Sequence, residues 1–146
     1  APLVLILAMS TLMHTLIFYL ITSSLKTMSA FSGFSTLVGT LIGFLAGIYV
    51  PIGVLPSYLQ KVMILFPTTQ VTALLRNILM NDVLAPIKEL VPTSSYQEII
   101  KTLGVRLQWN DAIVSNQLSW IYLIVVTLAL LVIVVIKNKK STSYFL

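Results

Sequence analysis

Gly43-Phe-Leu-Ala-Gly47-Ile-Tyr-Val-Pro51-Ile-Gly53-Val-Leu-Pro56-Ser-Tyr-Leu-Gln60 is where an uncharged run changes its structure. The run extends from Thr27 to Gln60 without an ionisable acid or base. That is longer than one helix needs to cross a hydrocarbon core of about 30 Å at 1.5 Å per residue. Pro51, Gly53 and Pro56 break it, because proline removes a helical hydrogen bond and clashes with the preceding turn. The reading that follows is one span over about 30–50 and a second structure after it.

Two short helices are predicted beyond the break. Ser57 and Gln60 have capping-box spacing, and Leu59, Val62, Met63 and Phe66 recur on one helical face. Pro67 ends that helix. Another begins near Thr68, with Val71, Leu74, Leu75, Ile78 and Leu79 on one face. Neither is long enough to span, so 51–80 is expected to be a re-entrant hairpin.

Two further apolar runs flank this region. Residues 3–22 carry no acid or basic Lys or Arg, with His14 mid-run, and 118–136 are almost wholly apolar. Between hairpin and last run, 81–117 holds all four acids: Asp82, Glu89, Glu98 and Asp111. Ser95 and Glu98 suggest a capped helix over about 96–103. Val105, Leu107 and Trp109 alternate as in a brief extended segment. Asn110 or Asp111 is placed to cap the last helix.

Composition agrees with a membrane setting. The 146 residues are 58% hydrophobic and 9% charged, with no cysteine, and mean hydropathy is +0.99. A soluble domain is about 25% charged. Disorder, a disulfide scaffold and thiol chemistry are excluded on these numbers. The expected fold is an all-α integral membrane protein: three transmembrane helices, a re-entrant helical hairpin and a short extracellular loop domain. The net charge of +5 is not a nucleic-acid signal, since no basic face is interleaved with polar residues. Lys137, Lys139 and Lys140 instead form a basic tail over 137–146, which the positive-inside rule puts in the cytoplasm. Lys26 is then cytoplasmic and 51–117 faces outward, with Tyr49, Tyr58, Trp109, Trp120 and Tyr122 at the outer interface.

Three features are candidate sites. His14, the single histidine, is read as an interhelical hydrogen-bonding neutral imidazole in preference to a proton relay, because no acid lies in any span. Ser35, Gly39, Gly43 and Gly47 recur every four residues, a helix-packing face or dimer seam. Arg76 is read as snorkelling toward outer headgroups in preference to a buried contact. Motifs for phosphate loops, zinc hydrolysis and serine nucleophiles are absent, so no catalytic, cofactor or metal residue is assigned and the chain is not expected to be an enzyme.

The stretch quoted first, with Phe66-Pro67 and Leu74-Leu75-Arg76, resembles the permease subunits of type-2 ATP-binding-cassette exporters. Gly47 to Pro51 stands at the small-residue end of that family's fifth span. Leu55 to Gln60, Pro67 and Arg76 stand at its re-entrant hairpin and the helix that follows, with Phe66 where the family usually has Asn. The match covers about 34 residues. It implies that 1–136 is the C-terminal half of a six-span permease in the cell membrane. The implied partners are an ATPase subunit holding ATP and Mg²⁺, a second permease copy or homologous permease, the N-terminal half of the permease, and the lipid bilayer. Drugs, peptides or lipid-linked substrates would move by alternating access. The competing readings are an ion-coupled secondary transporter, which should carry acids in its spans, and an accessory or sensor subunit with 81–117 as its outward domain.

Overall fold

The computed structural model describes residues 2–109 and 112–142, with the side chains described to 139. The fold is all-α apart from one small ribbon. The helices are α1 (Pro2–Thr22), α2 (Met28–Leu45), α3 (Ser57–Ile64), α4 (Pro67–Leu79), α5 (Asn81–Leu90), α6 (Thr93–Thr102) and α7 (Asn116–Thr142). A single 3-10 turn, Ile52–Val54, precedes α3. Strands β1 (Gln108–Trp109) and β2 (Ala112–Ile113) pair antiparallel, Gln108 opposite Ile113. Asn110 and Asp111, expected to cap the last helix, lie outside the described residues.

Among the described residues three helices are long and apolar enough to cross a membrane: α1, α2 and α7. The C-terminal ends of α1 and α7 meet. Lys137 Nζ donates to the Leu20 carbonyl at 3.2 Å and to Ser23 Oγ and Ser24 Oγ at 2.7 and 2.9 Å. Tyr19 Oη donates to Asn138 Oδ1 at 2.6 Å. A lysine placed over the last carbonyls of a helix satisfies them and opposes the negative end of its dipole. Lys26 follows within one short turn, so the basic residues Lys26 and Lys137 share one end of the molecule.

The bent pair is present. α3 and α4 are bent by 93° at the Leu65–Phe66 elbow. Pro67 does more than end the first helix. It is the first residue of α4, where its fixed φ suits the helix and its missing N–H is not needed. The elbow is held from α7, where Tyr122 Oη donates to the Leu65 carbonyl. Leu45, Ile52, Met63, Ile64, Ala73 and Leu107 bury one core around it. Ile6, Met13, Val71, Leu74 and Leu123 form a second where α1, α4 and α7 meet.

Several boundaries differ from the sequence reading. α2 stops at Leu45 rather than near residue 50, because Gly47 takes φ +65° and turns the chain out of the helix. Ser57 is the first residue of α3 and makes no cap bond. Gln60 instead donates from its amide to the Leu55 carbonyl at 2.7 Å. Likewise Ser95 and Glu98 lie inside α6, which starts at Thr93 directly after Pro92. α7 begins at Asn116 and continues through the basic residues to Thr142, so the expected tail is helical over 137–142.

Residues 81–117 are more ordered than a loop. α5 forms despite Pro86, whose nitrogen cannot bond to the Asp82 carbonyl and whose ring crowds it. Leu84, Ile100 and Val105 close a third small core between α5 and α6. This layer sits on the 3-10 turn before α3. A Cβ on Gly53 would lie 2.3 Å from Thr102 Cα, so only glycine admits the contact. α5 follows α4 with no linker, Met80 serving as C-cap of one and N-cap of the other. Both outer ends of the bent pair are therefore joined to the α5–α6 layer.

Candidate functional site

The polar side chains converge on α4. Thr68, Thr69 and Gln70 follow Pro67 directly, and successive residues of a helix point about 100° apart. The three therefore face three different neighbours. Thr68 meets α1, Thr69 meets α2, and Gln70 meets α3 and α7.

Toward α1, Thr68 Oγ1 lies 2.9 Å from His14 Nε2, while His14 Nδ1 lies 2.8 Å from the Ser10 carbonyl. A carbonyl only accepts, so Nδ1 carries the proton and donates to Ser10. Nε2 and the Thr68 hydroxyl then form the interhelical hydrogen bond read from the sequence, with its partner now identified. His14 and Thr68 also border an apolar cleft of about 230 Å³ between α1, α2 and the elbow, walled by Ile17, Phe34, Val38 and Phe66 among others.

Toward α7, Gln70 is 4% exposed and fully engaged. Its Nε2 donates to the Ile64 carbonyl at 2.8 Å, and its Oε1 accepts from Ser119 Oγ at 2.7 Å. Further along, Asn116 Nδ2 donates to Asn77 Oδ1 at 3.0 Å. The pairings Leu65–Tyr122, Gln70–Ser119 and Asn77–Asn116 show that α4 runs antiparallel to α7. Its far end lies level with the start of α7, and its elbow reaches His14 in the middle of α1.

Toward α2, α4 completes a helix end. The last turns of a helix leave carbonyls without partners. Ile48 N donates to the Gly43 carbonyl and Gly47 N to that of Phe44, a Schellman turn with glycine in the left-handed position. Three carbonyls remain. Thr69 Oγ1 donates to that of Leu45 at 2.9 Å. Arg76 Nη2 donates to those of Ala46 and Gly47 at 2.8 and 2.9 Å. Every carbonyl from Ile42 to Gly47 is thus satisfied, the last three by α4. Without that, α2 could not end in apolar surroundings, since each bare carbonyl there costs on the order of 1–3 kcal/mol.

Arg76 therefore points inward and does not snorkel. Its guanidinium lies between two glycines at φ +65° and +66°, Gly47 and Gly104. Gly104 ends α6 with the same turn, Val105 N donating to Ile100 and Gly104 N to Lys101. A Cβ on either glycine would crowd Arg76 Nη1, at 3.2 Å from Gly47 and 2.9 Å from Gly104. Nη1 itself is buried without a partner. One arginine thus ties together the ends of α2, α4 and α6.

The predicted glycine stripe is not one surface. Ser35 and Gly39 are exposed, and a Cβ on Gly39 would touch nothing within 4 Å. At Gly43 it would meet the Tyr49 ring at 2.6 Å, a local contact. Gly47 lies past the helix altogether. Pro51 and Pro56 bracket the 3-10 turn and Pro67 opens α4, so all three prolines mark boundaries.

Thr68, Thr69, Gln70 and Ser119 were not singled out in the sequence. The available signal was three polar residues in succession after a proline, within a segment otherwise apolar on one face. Among the described residues no group of three His, Cys, Asp or Glu side chains is placed to hold a metal ion. Compared with known protein families, characterised proteins and solved structures, the chain matches none.

Proposed function

We propose that the chain is the transmembrane permease portion of an ATP-driven exporter of the type-2 ATP-binding-cassette class. It would move a drug, peptide or lipid-linked substrate by alternating access, with ATP and Mg²⁺ held by a partner ATPase. One observation carries the reading. The residues that bear the resemblance run from the end of α2 into the bent pair: Gly47, Pro51 and Leu55 lead into it, Gln60, Pro67 and Arg76 lie within it, and the pair is bonded to α1, to the end of α2 and to α7. In the proposed setting this unit enters the outer leaflet and returns, its elbow level with the middle of α1. Irregular backbone at that depth needs protein partners, which Thr69 and Arg76 supply. The shared basic end at Lys26 and Lys137 favours a cytoplasmic C-terminus in the cell membrane. A rocking motion of α1 or α7 would be passed to α2 through α4, because all three are bonded to it.

The separate core of the α5–α6 layer favours a second reading, an accessory or sensor subunit with this layer as its outward part. The two are distinguished by co-purifying the chain with an ATPase encoded beside it and measuring ATP turnover. Turnover that rises in the presence of the chain in lipid supports the exporter. An ATPase that neither binds nor responds refutes it.

A further inference from the structure

α5 divides into three sectors by helical geometry. Met80, Leu84 and Ile87 face the core shared with α6. Asp82 and Glu89 are exposed on the side away from that core, and Lys88 is exposed on the flank opposite the stripe described next. Beside the packed sector runs a second apolar stripe, spaced four, three and four residues apart: Leu79, Val83, Pro86 and Leu90. It is uncovered, with Leu79 61%, Val83 62% and Leu90 81% exposed. Contiguous apolar surface of this kind marks an interaction site.

The fold says at what level this stripe lies. α5 starts at Asn81, with only Met80 between it and α4. The last turn of α4 is bonded to the first residue of α7 through Asn77 and Asn116. Asn116 is also where the long apolar segment of α7 begins. α5 thus starts at the boundary of the apolar zone. Tyr49, 64% exposed, lies in the segment that leads into the bent pair, and Tyr58, 65% exposed, lies in the pair's first turn, where the pair joins the same layer. Exposed tyrosines are enriched at this level of a membrane protein.

We infer that α5 is an interfacial helix that lays the Leu79–Val83–Leu90 stripe among the acyl chains of the leaflet it borders, with Asp82, Lys88 and Glu89 turned to water. A short helix with an apolar stripe opposite its charges binds in this way. Its charges nearly cancel, so the contact is apolar and does not require anionic lipid. The inference rests on the membrane setting proposed above.

The chain has no cysteine, so single-cysteine variants report one site each. Val83→Cys, Leu90→Cys, Lys88→Cys and Leu128→Cys carry an environment-sensitive fluorophore in the full chain, reconstituted in phosphatidylcholine vesicles. Leu128 lies on an exposed face of α7. The expected result is blue-shifted emission at 83 and 90, quenched by lipids brominated on the acyl chain and not by iodide, with the reverse at 88. If 128 is quenched by bromolipid while 83 and 90 are quenched by iodide, the interfacial helix is refuted and the membrane setting stands. If 128 is itself quenched by iodide, the membrane setting fails. If 83 and 90 are shielded from both quenchers, another protein or a second copy covers the stripe, and the lipid assignment is overturned.

Discussion

Gly47 and Gly104 end two different helices with the same left-handed turn, and both turns close on the guanidinium of Arg76. α2 and α6 are far apart in the chain, yet one side chain on α4 is bonded to the end of one and packed against the end of the other. The joint is polar on its carbonyl side and tight on its Cα side.

Arg76→Ala should lower stability by about 2–4 kcal/mol, since it removes two charge-assisted bonds and leaves the Ala46 and Gly47 carbonyls bare. Arg76→Lys should recover part of this, because an ammonium can reach one carbonyl but lacks the planar fork. Thermal unfolding in detergent, read by helical circular dichroism, checks it. Equal stability of wild type and Arg76→Ala would show that the two bonds contribute nothing.

The glycines should respond differently to alanine. At Gly104 the left-handed backbone costs roughly 1–2 kcal/mol, and the new methyl also crowds Arg76. Gly39→Ala should be neutral or stabilising by up to about 1 kcal/mol, as alanine favours helix and nothing obstructs it. Gly53→Ala should separate the α5–α6 layer from the 3-10 turn, since the obstacle is the backbone of Thr102. Limited proteolysis within 81–107, faster in Gly53→Ala than in Gly39→Ala, is the readout.

Gln70 and Ser119 form a buried pair that can be tested as a unit. Gln70→Leu and Ser119→Ala should each destabilise, and the double variant should lose less than the sum, with a coupling of about 1 kcal/mol. Strict additivity would mean that the 2.7 Å contact is not an interaction that holds α4 to α7.

Topology follows from the two ends of the molecule. Cysteines at Tyr58 and Asn81, both exposed, should react with an impermeant reagent added outside intact cells. A cysteine at Lys26 should react only after permeabilisation. Labelling of Tyr58 and Asn81 from opposite sides would make the bent pair a span and remove the support for the exporter reading.

The sequence by itself determined the long apolar helices, the break at Pro51–Pro56 and a change of helix at Pro67, with the new helix expected near Thr68 and beginning at Pro67 itself. These depend on hydropathy over many residues and on proline's backbone chemistry, both local. It also pointed to a hydrogen bond from His14 to a neighbouring helix, because no acid lies in any span to pair with it. Tertiary structure decided the rest. The end of α2 moved to Leu45 because leaving the helix there requires donors for three carbonyls, and those donors come from α4. Arg76 turned inward for the same reason, which no periodicity could reveal. α5 was not foreseen, since a proline reads as a breaker until its lost bond and its clash with the preceding turn are weighed against the core that Leu84 and Ile87 bury. The glycine stripe was legible as spacing, but whether each glycine meets a ring, a guanidinium or open space depends on what the fold brings against it.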